Sequence, residues 1–226
     1  MKAGIVYTST TPELMELMNN ELEKQLGGAV EILNYKDPSV LAEVREAGYV
    51  TAPAAARLVA MYMQAVRDGA DAILNVCSSV GEVADAAVPL GKYLGVPIVR
   101  IDEEMCREAV RLGSRIGVLA TLPTTLTPTK NTVVRVAREM NRHVSLVDGL
   151  VDAFGLDQEQ FKKLLGEKTA ELREQVDVIL LCQGSMAYVE EFLSDTYHIP
   201  VVSSPRFGAI ELKKAFQEKG LLPFAE

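Results

Sequence analysis

Two cysteines stand where an apolar run gives way to small polar residues: Cys77 in ILNVCSSVGEVADAA and Cys182 in VILLCQGSMAYVEEF. Such a switch reads as a strand followed by a helix start, and open parallel sheets bind their ligands at the carboxyl ends of strands. A helix start aims free backbone N–H groups and the positive end of its dipole at that point, which favours a thiolate and a substrate carboxylate alike. Taken alone, either cysteine reads as a small buried hydrophobe. Two of them at matching places in a repeated chain read differently, because a face-to-face arrangement sets one thiol on each side of a cleft.

The elements that must position these thiols follow from alternation of short β-rich apolar runs with helical patterns of ten to eighteen residues, the signature of βαβ units and a parallel sheet. Strands are expected near residues 2–7, 29–33, 71–76, 96–100, 115–120, 143–147, 176–181 and 199–203. One helix is announced by Thr11 as N-cap with Pro12 at its first position and closed by Gly27; another has Pro53 near its start and Gly69 at its end.

The chain also repeats itself in order. GIVYTSTT (4–11) is similar to GVLATLPTT (117–125), ADAILNVCSS (70–79) to VDVILLCQGS (176–185), and GVPIV (95–99) to HIPVV (198–202). Separations of 113, about 105 and 103 residues imply two α/β halves of domain size. The expected division is 1–101 plus 205–226 against 102–204, the last helical pattern, Phe207 to Lys219, returning to the first half.

Composition narrows the function classes. The chain has 226 residues, 48% hydrophobic, enough to bury a sizeable core. Its net charge of −8 and scattered Lys and Arg offer no basic stripe to nucleic acid. No apolar run approaches the roughly 20 residues that span a bilayer, and the opening MKAGIVYTSTT enters a strand instead of a signal-peptide apolar region. Three cysteines are too few and too odd for a secreted disulfide framework, which fits a reducing, cytoplasmic setting. His143 and His198 lie in no metal motif, so no metal is expected.

The Cys77 and Cys182 motifs, together with GVLATLPTT, whose Thr121 and Thr124 match a T-x-x-T loop, resemble the aspartate/glutamate/hydantoin racemase superfamily over almost the whole chain. The resemblance implies two pseudo-symmetric parallel-sheet α/β domains, an interdomain active site and no pyridoxal or other cofactor. Members with both cysteines are generally racemases or epimerases; those with one include decarboxylases. Ser78-Ser79 and Gln183-Gly184-Ser185 stand where glutamate racemases have Asn-Thr and Thr-His, while Met186 and its small neighbours look more like the hydantoin branch.

Racemisation next to a carbonyl needs a base on one face of the carbon and an acid on the other. Cys77 and Cys182 would serve, each with a free-thiol pKa of about 8.5 lowered by its helix start. Donors for the developing enolate would be Ser78, Ser79, Thr121, Thr124, Gly184 and Ser185, with Thr8 and Ser9 as first-half counterparts. Every one of these hydroxyls also reads as a helix cap or turn residue. Cys106 and the methionines Met61 and Met63 read as core, with Met105, Ala109 and Leu112 on the Cys106 stripe; Arg206 reads as surface, and Glu82 and Asp85 as a solvated helix face. The expected partner is a small carboxylate or hydantoin-like substrate, with a homo-oligomer left open. The alternatives are a maleate-isomerase-like or decarboxylating enzyme, a two-lobed small-ligand binder without turnover, and a thiol redox enzyme, the last disfavoured by the absence of CxxC.

Overall fold

The computed structural model describes residues 1–28, 30–153 and 155–224. It divides into two compact units: Met1–Ile101 with the segment from Pro205 onward, and Asp102–Ser204. The first unit contains β1 (Lys2–Tyr7), α1 (Pro12–Leu26), β2 (Glu31–Lys36), α2 (Pro38–Ala47), α3 (Ala52–Arg67), β3 (Ala72–Asn75), α4 (Gly81–Leu94) and β4 (Ile98–Arg100). The second contains α5 (Glu103–Leu112), β5 (Arg115–Ala120), α6 (Pro123–Glu139), β6 (Ser145–Leu150), α7 (Gln158–Leu172), β7 (Val178–Leu181), α8 (Glu190–Tyr197) and β8 (Val201–Ser203). The final helix, α9 (Ser204–Glu218), follows β8.

Each unit has one four-stranded parallel sheet, in the order β2-β1-β3-β4 in the first and β6-β5-β7-β8 in the second. The sequential order doubles back once in each sheet, so β1 and β3, like β5 and β7, lie side by side at its centre. Central parallel strands are covered on both faces and therefore read as continuous apolar runs. That is why β3 and β7 are buried at every position.

Strand alternation assigns the two faces of the first sheet. Ile5, Tyr7, Leu74 and Val76 pack with Leu14, Met18 and Leu22 of α1 and with Leu212 and Phe216 of α9. Val6, Ile73 and Ile98 face the opposite way, toward Val40 and Val44 of α2, Leu58 and Tyr62 of α3, and Ala84 of α4. In the second unit Leu119, Ile179 and Leu181 meet Leu165 and Leu172 of α7 and Leu193 of α8, while α5 and α6 also lie against the sheet.

Caps match the sequence signals with one change. Thr11 is in the N-cap position and Pro12 opens α1, but the Thr11 hydroxyl makes no capping hydrogen bond; Gly27 ends the helix at φ 57°. The Thr51 hydroxyl does cap α3, accepting from the Ala54 N–H at 3.2 Å. The edge strands begin later than their apolar content suggests. β2 is displaced from the expected 29–33, of which residue 29 lies outside the described residues, because Gly27 and Gly28 both turn with positive φ and pairing starts only at Lys2 with Glu31. β6 runs through Asp148 and Gly149, residues that look like a strand end. An edge position exposes one side to solvent and tolerates the aspartate, and an added Cβ at Gly149 would lie 2.8 Å from the Leu172 side chain. Among the described residues, no helix is long and apolar enough to cross a membrane.

Candidate active site

In the first unit, Cys77 lies two residues beyond β3 with extended backbone, φ −158° and ψ 113°. Its side chain is nearly covered, with a relative exposure of 9%. The register that pairs Val6 with Asn75 brings Thr8 level with Cys77 when continued to the carboxyl edge. Thr8 and Ser78 are buried, and the hydroxyl of each lacks a hydrogen-bond partner among the described residues. Ser79 is buried and Ser9 half-buried. Thr8, Ser9, Thr10 and Thr11 also line a shallow pocket of about 250 Å³ with Pro38, Leu41, Ala42 and Arg45.

Polar side chains beneath Cys77 hold its backbone. Asn75, buried inside the apolar run, donates its amide to the Cys77 carbonyl oxygen at 2.9 Å and accepts the Tyr62 hydroxyl at 3.0 Å. At the end of β4 the buried Arg100 guanidinium pairs with Asp85 of α4 at 2.7 Å. The glycine at the start of α4 makes room for it: an added Cβ on Gly81 would stand 2.3 Å from the Arg100 Nη2. Asp85 is thus the partner of a buried cation and not simply part of a solvated face.

In the second unit, Cys182 directly follows β7, fully buried, and its N–H donates to the Leu119 carbonyl at 2.9 Å. Thr121 follows β5, and Leu122 and Pro123 lead into α6. The Thr124 hydroxyl, in the first turn of α6, is buried without a partner among the described residues. Gly184 and Ser185 are half-buried beside the thiol loop. Gln183 bridges the two loops: its side-chain carbonyl accepts from the Thr121 N–H at 3.1 Å, and its amide donates to the Thr121 hydroxyl at 2.5 Å.

Two expectations about the cysteines need correction. Neither thiol sits directly at an α-helix start. A 3-10 turn, Ser78–Val80, separates Cys77 from α4, and a longer one, Gly184–Val189, separates Cys182 from α8. A tight 3-10 turn, opened by small residues in both loops, lets the chain leave the sheet edge before the wider helix begins. Nor is the Cys182 thiol acidified. Burial pushes its pKa well above the ordinary thiol range; the nearby Thr129 hydroxyl acts in the opposite direction, and the Asp102 and Asp148 carboxylates push it further up. Desolvation of a thiolate at a fully enclosed position outweighs any helix-end attraction here.

The remaining candidates fall outside these loops. Cys106 is fully buried on α5 with Met105, Ala109 and Val110, whereas Leu112, expected on the same stripe, is exposed. Arg206 is exposed, its guanidinium 4.6 Å from the centre of the Phe207 ring. His143 lies just before β6, and His198 closes α8 at φ 54°. Tyr62, Asn75, Arg100 and Gln183 are the participants that sequence reasoning passed over. The visible signals were a lone amide inside the apolar run ILNVC, a charge ending GVPIVR, and an amide following the second cysteine.

Each sheet therefore delivers a cysteine outside any disulfide at the carboxyl end of one central strand and a hydroxyl-bearing loop at the end of the other, the arrangement of a parallel α/β protein built from two similar units. Residues 4–211 match the Asp/Glu/Hydantoin racemase family, and the chain belongs to it. Solved structures share the fold. An allantoin racemase from Klebsiella pneumoniae is 15% identical with a TM-score of 0.68, covering 100% of this chain and 95% of its own. A glutamate racemase from Bacillus anthracis is 16% identical with a TM-score of 0.72, covering 97% and 83%. An aspartate racemase from Picrophilus torridus is 15% identical with a TM-score of 0.67, covering 97% and 94%. No curated protein sequence matches the chain.

Proposed function

We propose that the chain is a cofactor-independent racemase or epimerase that inverts a carbon next to a carbonyl in a small amino acid, hydantoin or related carboxylate. Cys77 and Cys182 are the two acid/base groups, acting on opposite faces of that carbon. The observation that carries the reading is the repeated placement of a cysteine outside any disulfide beside a loop with a buried hydroxyl that has no hydrogen-bond partner among the described residues: Cys77 with Thr8 and Ser78, Cys182 with Thr124.

In the forward direction the Cys77 thiolate takes the proton from carbon, the electron pair passes into the neighbouring carbonyl as an enolate, and the Cys182 thiol returns its own proton to the other face. The cycle ends with the proton on Cys77 and the thiolate on Cys182, so the opposite enantiomer reacts by the reverse route. The full burial of Cys182 and the carboxylates near it support assigning the resting proton to Cys182. Hydroxyls that have no partner among the described residues, those of Thr8, Ser78 and Thr124, are available to the enolate and carboxylate oxygens, where donors already in place stabilise developing charge. Ser9, Ser78, Ser79, Thr121, Thr124, Gly184 and Ser185 are the proposed binding shell, with Thr8.

A racemisation screen by circular dichroism over amino acids, 5-substituted hydantoins and related small carboxylates in deuterium oxide tests the reading. The expected result is loss of optical activity with incorporation of deuterium at the inverted carbon. Isomerisation or decarboxylation without that exchange, or binding without turnover, would replace it.

A further inference from the structure

Gln183 and Thr121 form a pair whose polarity is fixed by chemistry. A backbone N–H can only donate, so the atom of Gln183 facing the Thr121 N–H at 3.1 Å is its carbonyl oxygen. The other end of the same amide is then its NH2 group, which can only donate, and it lies 2.5 Å from the Thr121 hydroxyl oxygen. Thr121 is therefore an acceptor toward Gln183, and its own hydroxyl proton points elsewhere. The two loops meet in register: β5 and β7 pair Ile116 with Val178 and Leu119 with Leu181, and continuing that offset sets Thr121 opposite Gln183.

We propose that Gln183 is a positioning residue that fixes Thr121 as a hydrogen-bond donor toward a carboxylate oxygen of the substrate. The inference rests on the racemase reading for the identity of the ligand, and on the Gln183 to Thr121 contact for the direction of the hydrogen bond. Threonine hydroxyls are free rotors that can offer a lone pair or a proton. A lone pair facing an anion is repulsive. Occupying the acceptor side with an amide removes that option before substrate arrives, so the donor is preorganised and no rotor has to be frozen on binding. Because Gln183 directly follows Cys182, the same amide also anchors the peptide next to the thiol. Thr121 is almost fully buried and Gln183 half-buried, so solvent competes weakly for the pair.

Two measurements test this. The first is independent of turnover: hydrogen exchange of the Gln183 side-chain NH2, followed by 15N NMR in the wild-type chain and in Thr121→Val, which removes the acceptor. Slow exchange in the wild type that rises at least tenfold in Thr121→Val is expected; exchange at the free-amide rate in the wild type overturns the proposal. The second is kinetic, using whichever amino acid or related carboxylate is turned over in the screen; turnover of hydantoins alone would overturn the proposal. Gln183→Glu retains an acceptor for the Thr121 N–H but draws the hydroxyl proton to itself. KM should rise about tenfold or more, with kcat changed less than about threefold, as loss of a hydrogen bond to a charged oxygen implies. In a Thr121→Val background the same substitution should change KM less than about threefold. An equal rise in both backgrounds would mean simple repulsion by the new carboxylate and would overturn the proposal, as would a loss confined to kcat. Failure of every compound to racemise sinks the enzyme reading, while the exchange experiment still decides the orientation of the pair.

Discussion

The Asn75 amide donates to the Cys77 carbonyl oxygen and accepts from the Tyr62 hydroxyl, so a single side chain inside the sheet ties α3 to the thiol-bearing loop. Burial holds the Tyr62 phenol far above its ordinary pKa, keeping it a protonated donor at every working pH.

Replacing Asn75 by Leu leaves a buried phenol and a buried carbonyl without their partner. Each unsatisfied group costs about 1–3 kcal/mol. Asn75→Leu should lower unfolding stability by about twice the effect of Tyr62→Phe, which leaves only the Asn75 side-chain carbonyl oxygen without its donor, and urea denaturation of the two variants measures the difference. The Asn75 variant should also lose activity beyond its stability loss, because the backbone beside Cys77 is no longer held.

At the opposite edge of the sheets, Asp177 accepts from the backbone N–H groups of Ser114 and Arg115 and from the Arg115 guanidinium. The side-chain hydrogen bond from Arg115, followed by its backbone N–H, brings the carboxyl from 3.8 down to about 2. A depressed folded pKa contributes stability that is present above 3.8 and is lost as pH falls toward 2. Asp177→Asn should flatten the dependence of stability on pH in that window, with the effect reduced in high salt because the pair is partly exposed. Acid titration followed by far-ultraviolet circular dichroism checks it.

Asp71 does the corresponding work in the first unit, accepting from the Lys2 N–H at 2.9 Å. The internal repeat therefore carries tertiary information that was legible: ADAIL and VDVIL repeat a carboxylate that ties the start of one central strand to the next. The parallel α/β fold was legible for the same reason, since central strands are buried on both faces and show as unbroken apolar runs. Edge strands were less so, because only one side pairs, and β6 could absorb Asp148 and Gly149. The cysteines and their hydroxyl neighbours were visible as motifs. Their environment was not. Whether a thiol after a strand meets an α-helix or a 3-10 turn depends on backbone angles over three to six residues, and whether it is acidified depends on burial and on charges far away in sequence, such as the Asp102 and Asp148 carboxylates that act on Cys182. Arg100 was missed because a terminal charge on an apolar run usually reaches solvent, whereas here the missing side chain of Gly81 opens a place for it.

Gly81→Ala tests that place. The new Cβ overlaps the Arg100 guanidinium, which is buried and held by Asp85, so the arginine must shift and the pair must loosen. Overpacking of this kind costs about 1–3 kcal/mol. The loss should largely vanish when Gly81→Ala is made in an Arg100→Ala chain, a non-additivity that a thermal-denaturation cycle of the four proteins would measure.

The final prediction separates the two thiols. Cys182 is wholly enclosed and its pKa is raised, so it stays protonated at neutral pH, whereas Cys77 retains a relative exposure of 9%. Iodoacetamide at pH 7 should modify Cys77 first, with Cys182 and the buried Cys106 reacting only after unfolding. A raised folded pKa also contributes stability that is present below the ordinary thiol value and lost as pH climbs above it, so Cys182→Ser should reduce the alkaline destabilisation that begins near pH 9. Either Cys77→Ser or Cys182→Ser should abolish racemisation, because a hydroxyl is too weak an acid to supply the missing base. Each variant still has the other thiol of the pair, and that thiol can remove a proton from the enantiomer facing it when a β-chloro leaving group lets the reaction end in elimination without reprotonation. Cys77→Ser and Cys182→Ser should therefore show opposite enantiomer preferences toward a β-chloro amino acid, with Cys77→Ser the slower at neutral pH because its remaining thiol is the one held protonated. Racemisation at the wild-type rate by either variant would end the two-thiol mechanism, and identical preferences in both would show that the cysteines do not divide the two faces between them.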